Sequence, residues 1–469
     1  MVGDECARYA GYRRPGVAVA GATSVKRCVN LVQRRYRVQW TGRGGGVWLL
    51  MMFVIGGVAG CQGPHLMPTP NLYLQASSNP FADVAPPLRT NTVDVLYATD
   101  RQVVPNEEGT LAYGHGRSTS LAFGSCLVEI GQDISWETLV EQSWQRQRSQ
   151  QLPLRIRAIT EQARFPATPL PLMRSNGHFQ TDPAAQAAQG HVAAQLQQTV
   201  RQRLALTPRK DAYVYVHGFN NSFEDAAFVM AELWHFLGRQ GIPIVYAWPA
   251  GAGAGLRGYT YDRESGEFTI FHLKQFLRTL ATTPELERIH LIAHSRGTDV
   301  ATTALRELVI EARATGREAR AFAKLSNVVL AAADLDLEVV SQRISAERIG
   351  LEIDRITIYV SQTDRALGFS GCLFVSVRRM GQARPEDLTA EQRHDLEVRA
   401  SVDLIDARVS AGFLGHSYFY SHPAVSSDLV LLLRDKLAPG SPGRPLYRRD
   451  VNFWQITEGY PAASPGKPH

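Results

Sequence analysis

The chain has 469 residues, of which 44% are hydrophobic, so it can bury a large core. Its formal charge of +6 is not the signature of a nucleic-acid-binding domain, because the positive charge is concentrated at one end. Residues 1–60 contain nine Lys or Arg and two acidic residues, a net charge of +7. Since +6 minus +7 leaves −1 for the rest of the chain, the composition argues against a nucleic-acid partner.

The first 60 residues are predicted to be a lipoprotein signal peptide, longer than usual, as if the start codon were assigned too early. Arginines between positions 34 and 43 precede an apolar run over 47–59, which is short for a membrane span. The run ends in Val58-Ala59-Gly60-Cys61, which resembles a bacterial lipobox. We therefore expect Cys61 to be lipidated and to anchor the chain to the cell envelope. Gln62 favours the outer membrane, facing the periplasm, and an uncleaved signal anchor is the alternative.

The predicted folded domain covers residues 91–438. The preceding residues, 61–90, contain six prolines together with Ser and Asn, and they are predicted to be a flexible tether. The domain is expected to begin with strands at 92–99 and 121–130. An insertion over 150–182, punctuated by prolines, is predicted to form a flap over the functional site.

From residue 183 onward, predicted strands and helices alternate. The predicted helices cover 183–203, 268–280, 298–314, 337–344, 386–399 and 425–437, and the predicted strands cover 213–216, 244–248, 289–293, 327–332 and 356–360. Repeated β-then-α order predicts an α/β fold, a parallel sheet with helices on both faces. The last residues, 439–469, are predicted to be an irregular tail, in which 451–454 packs back on the domain.

The glycine-rich stretch 249–255 follows a predicted strand, as a dinucleotide-binding loop would. However, no helix is predicted to open directly from it, and no acidic residue is spaced to bind a ribose. We therefore expect a mobile loop on the substrate side of the site, and no cofactor is implied.

The pentapeptide Ala293-His294-Ser295-Arg296-Gly297 is the most informative motif of the chain. It lies between a predicted strand and a predicted helix, and a serine between small residues at such a junction is the layout of a nucleophile elbow. The tight turn pushes the serine hydroxyl out above the sheet, where it is available for covalent catalysis. Ser295 is therefore the predicted nucleophile.

A second motif, His217-Gly218-Phe219-Asn220, follows the predicted strand 213–216. A His-Gly pair at the end of an early strand marks a loop that supplies one oxyanion donor in α/β hydrolases. Gly218 lets this substrate-side loop turn so that the backbone N–H of Phe219 or of Asn220 faces the site. The second predicted donor is the N–H of Arg296, at the N-terminus of the helix after Ser295.

A catalytic serine needs a base, and four histidines follow Ser295 in the chain. His416 is the favoured base, because it lies in a loop with small residues on both sides, just before the last predicted helix. His422 is the alternative, and its other reading is a loop residue that Pro423 braces. His394 is predicted to lie on a solvated helix, and His469 ends the tail.

The base needs an acid to orient it, and in this chain order the acid lies between the serine and the histidine. Asp364 and Asp334 each follow a predicted strand, at the edge of the sheet where α/β sites are built. Asp364 is favoured because the usual acid comes after the later strand. Asp334 is the alternative acid, and its other reading is an N-cap of the helix predicted at 337–344.

These stretches resemble the uncharacterised bacterial α/β-hydrolases that are described as esterase- or lipase-like lipoproteins. The resemblance covers residues 90–437 and is carried by Val95-Leu96-Tyr97-Ala98-Thr99-Asp100-Arg101, Tyr113-Gly114 with Arg117, Phe123-Gly124, the two motifs above, Asp364-Arg365-Ala366-Leu367 and Gly415-His416-Ser417-Tyr418. It implies an α/β-hydrolase fold and a triad of Ser295, Asp364 and His416. Methionine is common after the serine of this family, and Arg296 in its place is expected to favour anionic substrates.

The predicted function is thus a serine hydrolase of ester-like bonds, anchored to the envelope through Cys61 and acting on an ester or lipid-like substrate. An acyltransferase with the same triad, or a non-catalytic binding lipoprotein that retains the fold, is the alternative. No metal site is predicted, because His290 and His294 are four residues apart on a strand and a turn rather than on a helix. Whether Cys126 pairs with Cys372 is left open.

Overall fold

Thirteen strands lie in the described part of the chain, and the central ones run through the core. They are β1 (Thr92–Pro105), β2 (Leu111–Ile130), β3 (Leu154–Arg164), β4 (Leu172–Ser175), β5 (His178–Thr181), β6 (Asp211–Val216), β7 (Ile242–Ala247), β8 (Arg288–His294), β9 (Leu325–Ala331), β10 (Arg355–Val360), β11 (Val402–Arg408), β12 (Tyr447–Asp450) and β13 (Phe453–Thr457). The central strands are buried on both faces. In β6, for example, Tyr213 and Tyr215 enter one core while Val214 and Val216 enter the other.

The computed structural model describes residues 63–77, 79–105, 109–368, 379–398, 401–410 and 415–462, all within one compact unit. The predicted signal peptide and Cys61 lie outside these residues, as do Cys372 and His469. Among the helices of the described residues, none is long and apolar enough to cross a membrane.

Eleven of the described strands form one sheet, in the order β12-β13-β11-β10-β9-β8-β6-β7-β1-β2-β3. Neighbours from β13 to β1 run parallel, whereas β2, β3 and β12 add antiparallel edges. From β6 the chain first goes to β7 on one side and then to β8 on the other. Such a reversal of strand order opens a crevice at the carboxyl ends of the strands, and it places the loops after β6 and β8 side by side.

Helices cover both faces of this sheet, as predicted. They are α1 (Asn71–Leu74), α2 (Trp136–Ser143), α3 (Pro183–Leu204), α4 (Phe223–Phe236), α5 (Leu256–Ala281), α6 (Gly297–Ala314), α7 (Ala319–Ala323), α8 (Leu337–Val340), α9 (Ala390–Val398), α10 (Tyr418–Ser421) and α11 (Pro423–Leu433). Helices α4 and α11 pack in one core, and α3, α5 and α6 pack in the other. The predicted α/β architecture is therefore confirmed.

The flexible tether predicted over 61–90 is wrong for its described part, from residue 63. Tyr73 and Phe81 are buried in the core, and Arg148 binds the carbonyl oxygens of Leu66 and Met67, each at 2.6 Å. The prolines of this segment alternate with apolar side chains, and burying those side chains fixes the backbone. The composition was typical of a linker, but the spacing of the apolar residues was not.

The irregular tail predicted over 439–469 is also wrong in part. Strand β13 pairs parallel with β11, and β12 pairs antiparallel with β13, so the tail completes one edge of the sheet. Strand β11 itself was missed, because charged residues interrupt its apolar pattern. The predicted packing of 451–454 is confirmed and extends to residue 457.

Two further predictions near the site need correction. The insertion 150–182 is not a flap over the site, because β3 is an edge strand five places from β8 in the sheet, and β4 and β5 form a separate hairpin. The helix predicted from residue 268 begins at Leu256, directly after the glycine-rich stretch. Gly253 and Gly255 have φ angles of 111° and 91°, which only glycine adopts easily, so the chain turns sharply into α5.

Candidate active site

Ser295 lies at the sharp turn between β8 and α6, as the pentapeptide predicted. Its φ of 50° is unusual for a residue other than glycine and is held by the surrounding hydrogen bonds. The N–H of Ser295 donates to the carbonyl of Ala331 at 2.9 Å, and its carbonyl accepts from the Thr298 hydroxyl at 2.6 Å. Gly297 is required here, because a Cβ at this position would lie 2.2 Å from the carbonyl oxygen of His217. The serine is therefore fixed where β8 meets α6.

His416 and Asp364 come together from two separate loops. Nδ1 of His416 lies 2.7 Å from Oδ2 of Asp364, whose side chain is fully buried, while the His416 side chain is 21% exposed. The other carboxylate oxygen, Oδ1, accepts from the N–H of Leu367 at 3.0 Å. Because a carboxylate accepts, the proton of this pair lies on Nδ1, and Nε2 of His416 is left as the basic nitrogen.

The alternative acid, Asp334, has different partners. Its carboxylate accepts from the hydroxyl of Tyr259 at 2.5 Å and forms an ion pair with Arg379 at 3.4 Å. Its backbone also contacts the serine, since the N–H of Asp334 donates to the carbonyl of Ser295 at 3.4 Å. The N-cap reading of Asp334 is wrong, because the side chain that caps α8 is that of Asp336.

The other described histidines of this region also have structural partners. Nδ1 of His422 accepts from the N–H of Ala424, and its Nε2 lies 2.7 Å from Glu458, so His422 caps α11 and braces the tail. His394 is exposed on α9, in agreement with the sequence analysis. The acid that contacts His416 is thus Asp364, which follows strand β10, whereas the acid that contacts His422 is Glu458, which follows β13 in the tail.

The loop after β6 lies against the serine. A Cβ on Gly218 would approach the Cβ of Ser295 to 2.9 Å, so only glycine allows this contact. Of the two candidate oxyanion donors, the N–H of Asn220 donates to Asp262 at 2.8 Å. The N–H of Phe219 is therefore the remaining candidate of this loop.

His217 orients the peptide that carries this N–H. Its Nε2 faces the guanidinium of Arg101 at 3.3 Å, and since a guanidinium only donates, the ring proton lies on Nδ1. Nδ1 then donates to the carbonyl of Gly218 at 2.9 Å. In a trans peptide the C=O and the following N–H point in opposite directions, so this bond also directs the N–H of Phe219. Burial and then the charge of Arg101 lower the pKa of His217 to about 3, so the ring stays neutral.

Two buried charges, which the sequence analysis did not assign, hold the loops around the serine. Arg101, the last buried residue of β1, donates to the carbonyls of Asn221 and Ala250, each at 2.8 Å. Asp262 on α5 accepts the N–H of Asn220 at 2.8 Å and that of Gly251 at 3.2 Å. The Arg101 guanidinium thus binds carbonyl oxygens, and the Asp262 carboxylate binds N–H groups, of the same two loops, which follow β6 and β7. A charged pair at the end of a buried strand, Asp100-Arg101, was the sequence signal for this role.

His294, the residue before the serine, supports the His416 loop. Its Nε2 lies 3.1 Å from the carbonyl oxygen of His416, and its ring packs against Phe419. Burial holds the pKa of His294 well below its usual value, so the ring is neutral and Nε2 carries the proton that it donates. The residue before the serine is therefore tied to the loop that carries His416.

Arg296 does not present its charge to a ligand, contrary to the expectation of a preference for anions. Its side chain is only 9% exposed and binds Asp299 at 2.6 Å on the same helix. Its backbone N–H lies at the N-terminus of α6, which favours negative charge whatever the side chain does.

Among the described residues, no three of His, Cys, Asp and Glu are grouped so that they could hold a metal ion. His290 binds Asp211 and Asn327 instead. Cys126 carries a free, buried thiol, and burial raises its pKa.

Comparison with known protein families gives a match over residues 192–434 to the family described as "Alpha/beta hydrolase of unknown function (DUF900)". The match covers 434 − 191 = 243 of 469 residues, just over half of the chain. The chain therefore belongs to this family, and the predicted α/β-hydrolase fold is confirmed. No curated protein matches the chain significantly. Ser295, Asp364 and His416 all lie within the matched region.

Proposed function

We propose that this protein is a serine hydrolase that cleaves carboxylic-ester-like bonds through an acyl-enzyme. The observation that carries the proposal is the 2.7 Å contact between His416 and Asp364, in a site whose serine occupies a strained turn between strand and helix. In this proposal, Ser295 is the nucleophile, His416 the base and Asp364 the acid that orients it. The family assignment supports a hydrolase in general and leaves the bond to be determined.

The proposed reaction has two halves. Oγ of Ser295 attacks the acyl carbon while Nε2 of His416 takes the hydroxyl proton. The N–H groups of Phe219 and Arg296 hold the oxyanion, and the leaving alcohol takes the proton from His416 as the C–O bond breaks. Water then attacks the acyl carbon and gives a proton to His416. His416 returns this proton to Oγ of Ser295 as the bond between Oγ and the acyl carbon breaks, which releases the carboxylic acid and regenerates the serine. Asp364 stabilises the imidazolium at each stage by accepting from Nδ1.

A fluorophosphonate probe tests this proposal, because it labels only an activated serine. We expect Ser295→Ala and His416→Ala to abolish labelling of the full chain in detergent, and Asp364→Asn to slow it by about 10⁴-fold. The structure offers matched controls: Asp334→Asn and His422→Ala change the alternative acid and the alternative histidine. A folded wild-type protein that is not labelled would overturn the hydrolase. Loss of labelling in Asp334→Asn, but not in Asp364→Asn, would overturn the assignment of the acid.

We further propose that lipidation of Cys61 anchors the chain to the envelope membrane, with an ester or lipid-like substrate. The support is the lipobox-like sequence Val58-Ala59-Gly60-Cys61 after an apolar run. Metabolic labelling with a radioactive fatty acid should mark the wild-type chain and not Cys61→Ala. Cys126→Ala, which changes a buried free thiol, is the matched control and should be labelled normally. Equal labelling of Cys61→Ala would refute the anchor.

A further inference from the structure

A cavity of about 160 Å³ lies on the face of the sheet that carries α6. Its walls are mostly aliphatic, with Leu305 from α6, Leu330 and Ile358 from strands β9 and β10, Val340 and Ile344 from the segment after β9, and Leu396 from α9. Four uncharged polar residues, Thr302, Ser341, Ser345 and Gln392, also line it. Among the described residues that line it, none is charged and none is aromatic. A dry, apolar cavity of about 150 Å³ is large enough to bind a ligand of the size of benzene.

Two pairs of consecutive residues connect the wall of the cavity to the Ser295 turn. Asp334 donates its N–H to the carbonyl of Ser295, and the next residue, Leu335, lines the cavity. On the facing segment, Arg379 pairs with Asp334 at 3.4 Å, and the next residue, Met380, also lines the cavity. The N–H of Met380 donates to the carbonyl of Leu335 at 2.7 Å, which joins the two pairs. Asp334 on one segment and Arg379 on the other thus lie between the wall of the cavity and the Ser295 turn.

Because the wall of the cavity lies so close to the Ser295 turn, we propose that the cavity binds the aliphatic acyl chain of the substrate, a proposal that rests on the hydrolase function of Ser295. Branched aliphatic walls suit a hydrocarbon chain, whereas a charged headgroup would find no ion partner there and an aromatic ring would find nothing to stack on. Since Leu335 lies beyond the Ser295 turn, the first carbons of the chain bridge to the cavity and only the later ones fill it. The preferred substrates are therefore esters of acids with about eight carbons or more.

The chain-length dependence of kcat/KM tests this proposal. Each buried methylene is worth about fourfold in binding. We expect the p-nitrophenyl ester of octanoic acid to exceed that of butyric acid by about 100-fold. Val340→Phe places a larger side chain in the cavity and should reduce this ratio to about 10 or less, with the rate for butyrate unchanged.

Adjacent residues provide the control. Val339 lies beside Val340 but is 40% exposed and does not line the cavity, so Val339→Phe should keep the wild-type ratio. Ile344→Phe is a second filling variant, for the case in which Val340→Phe does not fold. If folded filling variants keep the wild-type ratio, or if wild-type shows no preference for octanoate, the proposal is wrong.

A binding measurement separates this proposal from the proposed reaction. Calorimetric titration of Ser295→Ala with decanoate should show binding that Val340→Phe weakens by at least tenfold in the same background. Decanoate binding by a chain that no fluorophosphonate labels would refute the hydrolase and leave the aliphatic site standing. Fluorophosphonate labelling without decanoate binding and without chain-length preference would refute the aliphatic site alone.

Discussion

The guanidinium of Arg101 donates to Nε2 of His217 at 3.3 Å, and this contact fixes which nitrogen of the histidine can donate to the backbone of the candidate oxyanion loop. Burial lowers the pKa of Arg101 to about 10, so the side chain is still charged at neutral pH. Its guanidinium contacts backbone carbonyls and the ring of His217, so it acts through the loops that it holds. Arg101 is therefore a positioning residue in the proposed reaction.

Arg101→Lys should lower kcat for ester hydrolysis by about 10- to 100-fold, because one ammonium cannot replace a planar fork that binds several carbonyls and a ring nitrogen. Arg239→Lys is a matched control. Arg239 is equally buried and also binds two carbonyls and a histidine nitrogen, but those of Leu88, Thr90 and His235, away from the serine. If both variants lose similar stability but only Arg101→Lys loses kcat, the positioning role is supported. Equal kcat in both variants would contradict it.

We expect substitution of glycine by alanine to have opposite effects at Gly218 and at Gly190. In Gly218→Ala the new Cβ would press on Ser295, so we expect labelling by a fluorophosphonate to fall by at least tenfold. Gly190 lies within α3 with open space around its Cα, so Gly190→Ala should stabilise the protein by about 1 kcal/mol and leave labelling unchanged. Thermal unfolding and labelling rates of both variants check this. Normal labelling of Gly218→Ala would show that the loop lies further from the serine than we describe.

The sequence was sufficient for those parts of the site that depend on strand ends. Ser295, His217 and Asp364 each follow a run of β-branched or apolar residues, and parallel strands bring such positions to one edge of the sheet. That rule does not separate Asp364 from Asp334, because both residues satisfy it. Only side-chain geometry shows that Asp364 faces His416 while Asp334 faces Tyr259.

The elements that the sequence analysis missed depend on contacts far apart in the chain. Residues 63–90 and 447–457 have the composition of a linker and a tail, yet both are packed by partners more than 100 residues away or by strand pairing at an edge. Asn71 illustrates this, since its side-chain amide donates to the carbonyls of Glu458 and Tyr460. Local propensity carries no information about such pairs, and tertiary packing overrides it.

Glu232 should make the stability of the fold depend on pH. It is buried, accepts the N–H of Met67 at 2.6 Å, and burial raises its pKa to about 8. The folded state therefore binds the proton more tightly than the unfolded state, whose glutamate titrates near 4.5. This contribution is complete below about pH 4.5 and is lost as pH rises through about 8. At about 1.4 kcal/mol per pKa unit, the upper bound of the loss is about 5 kcal/mol.

Glu232→Gln removes this titration and keeps an oxygen that can accept from Met67. Urea unfolding at pH 5 and at pH 9 should show that the variant gains stability relative to wild-type as pH rises. The two proteins share every other titrating group, so the difference between their free energies of unfolding reports the titration of Glu232 alone. An identical change in both proteins between pH 5 and 9 would show that Glu232 is ionised in the folded state throughout.

Asp428 on α11 connects the C-terminal strands to the core that supports the His416 loop. Arg444 binds both of its carboxylate oxygens, at 2.8 and 2.7 Å, and the hydroxyls of Tyr359 and Tyr460 donate to them at 2.7 Å. Both charged side chains are fully buried. Removing one charge of such a pair leaves the other uncompensated, so Asp428→Asn should lower the free energy of unfolding by about 3–5 kcal/mol.

The ion pair of Asp354 with Arg320 is the control for this prediction, because both side chains are about half exposed. Asp354→Asn should change the free energy of unfolding by less than about 1 kcal/mol. Chemical denaturation of the two variants compares a buried charge pair with an exposed one in the same chain. A small effect of Asp428→Asn would mean that the C-terminal strands contribute little to the stability of the domain, and that water or a rearranged tail compensates Arg444. A large effect would instead make the segment after residue 438 an integral part of the hydrolase fold.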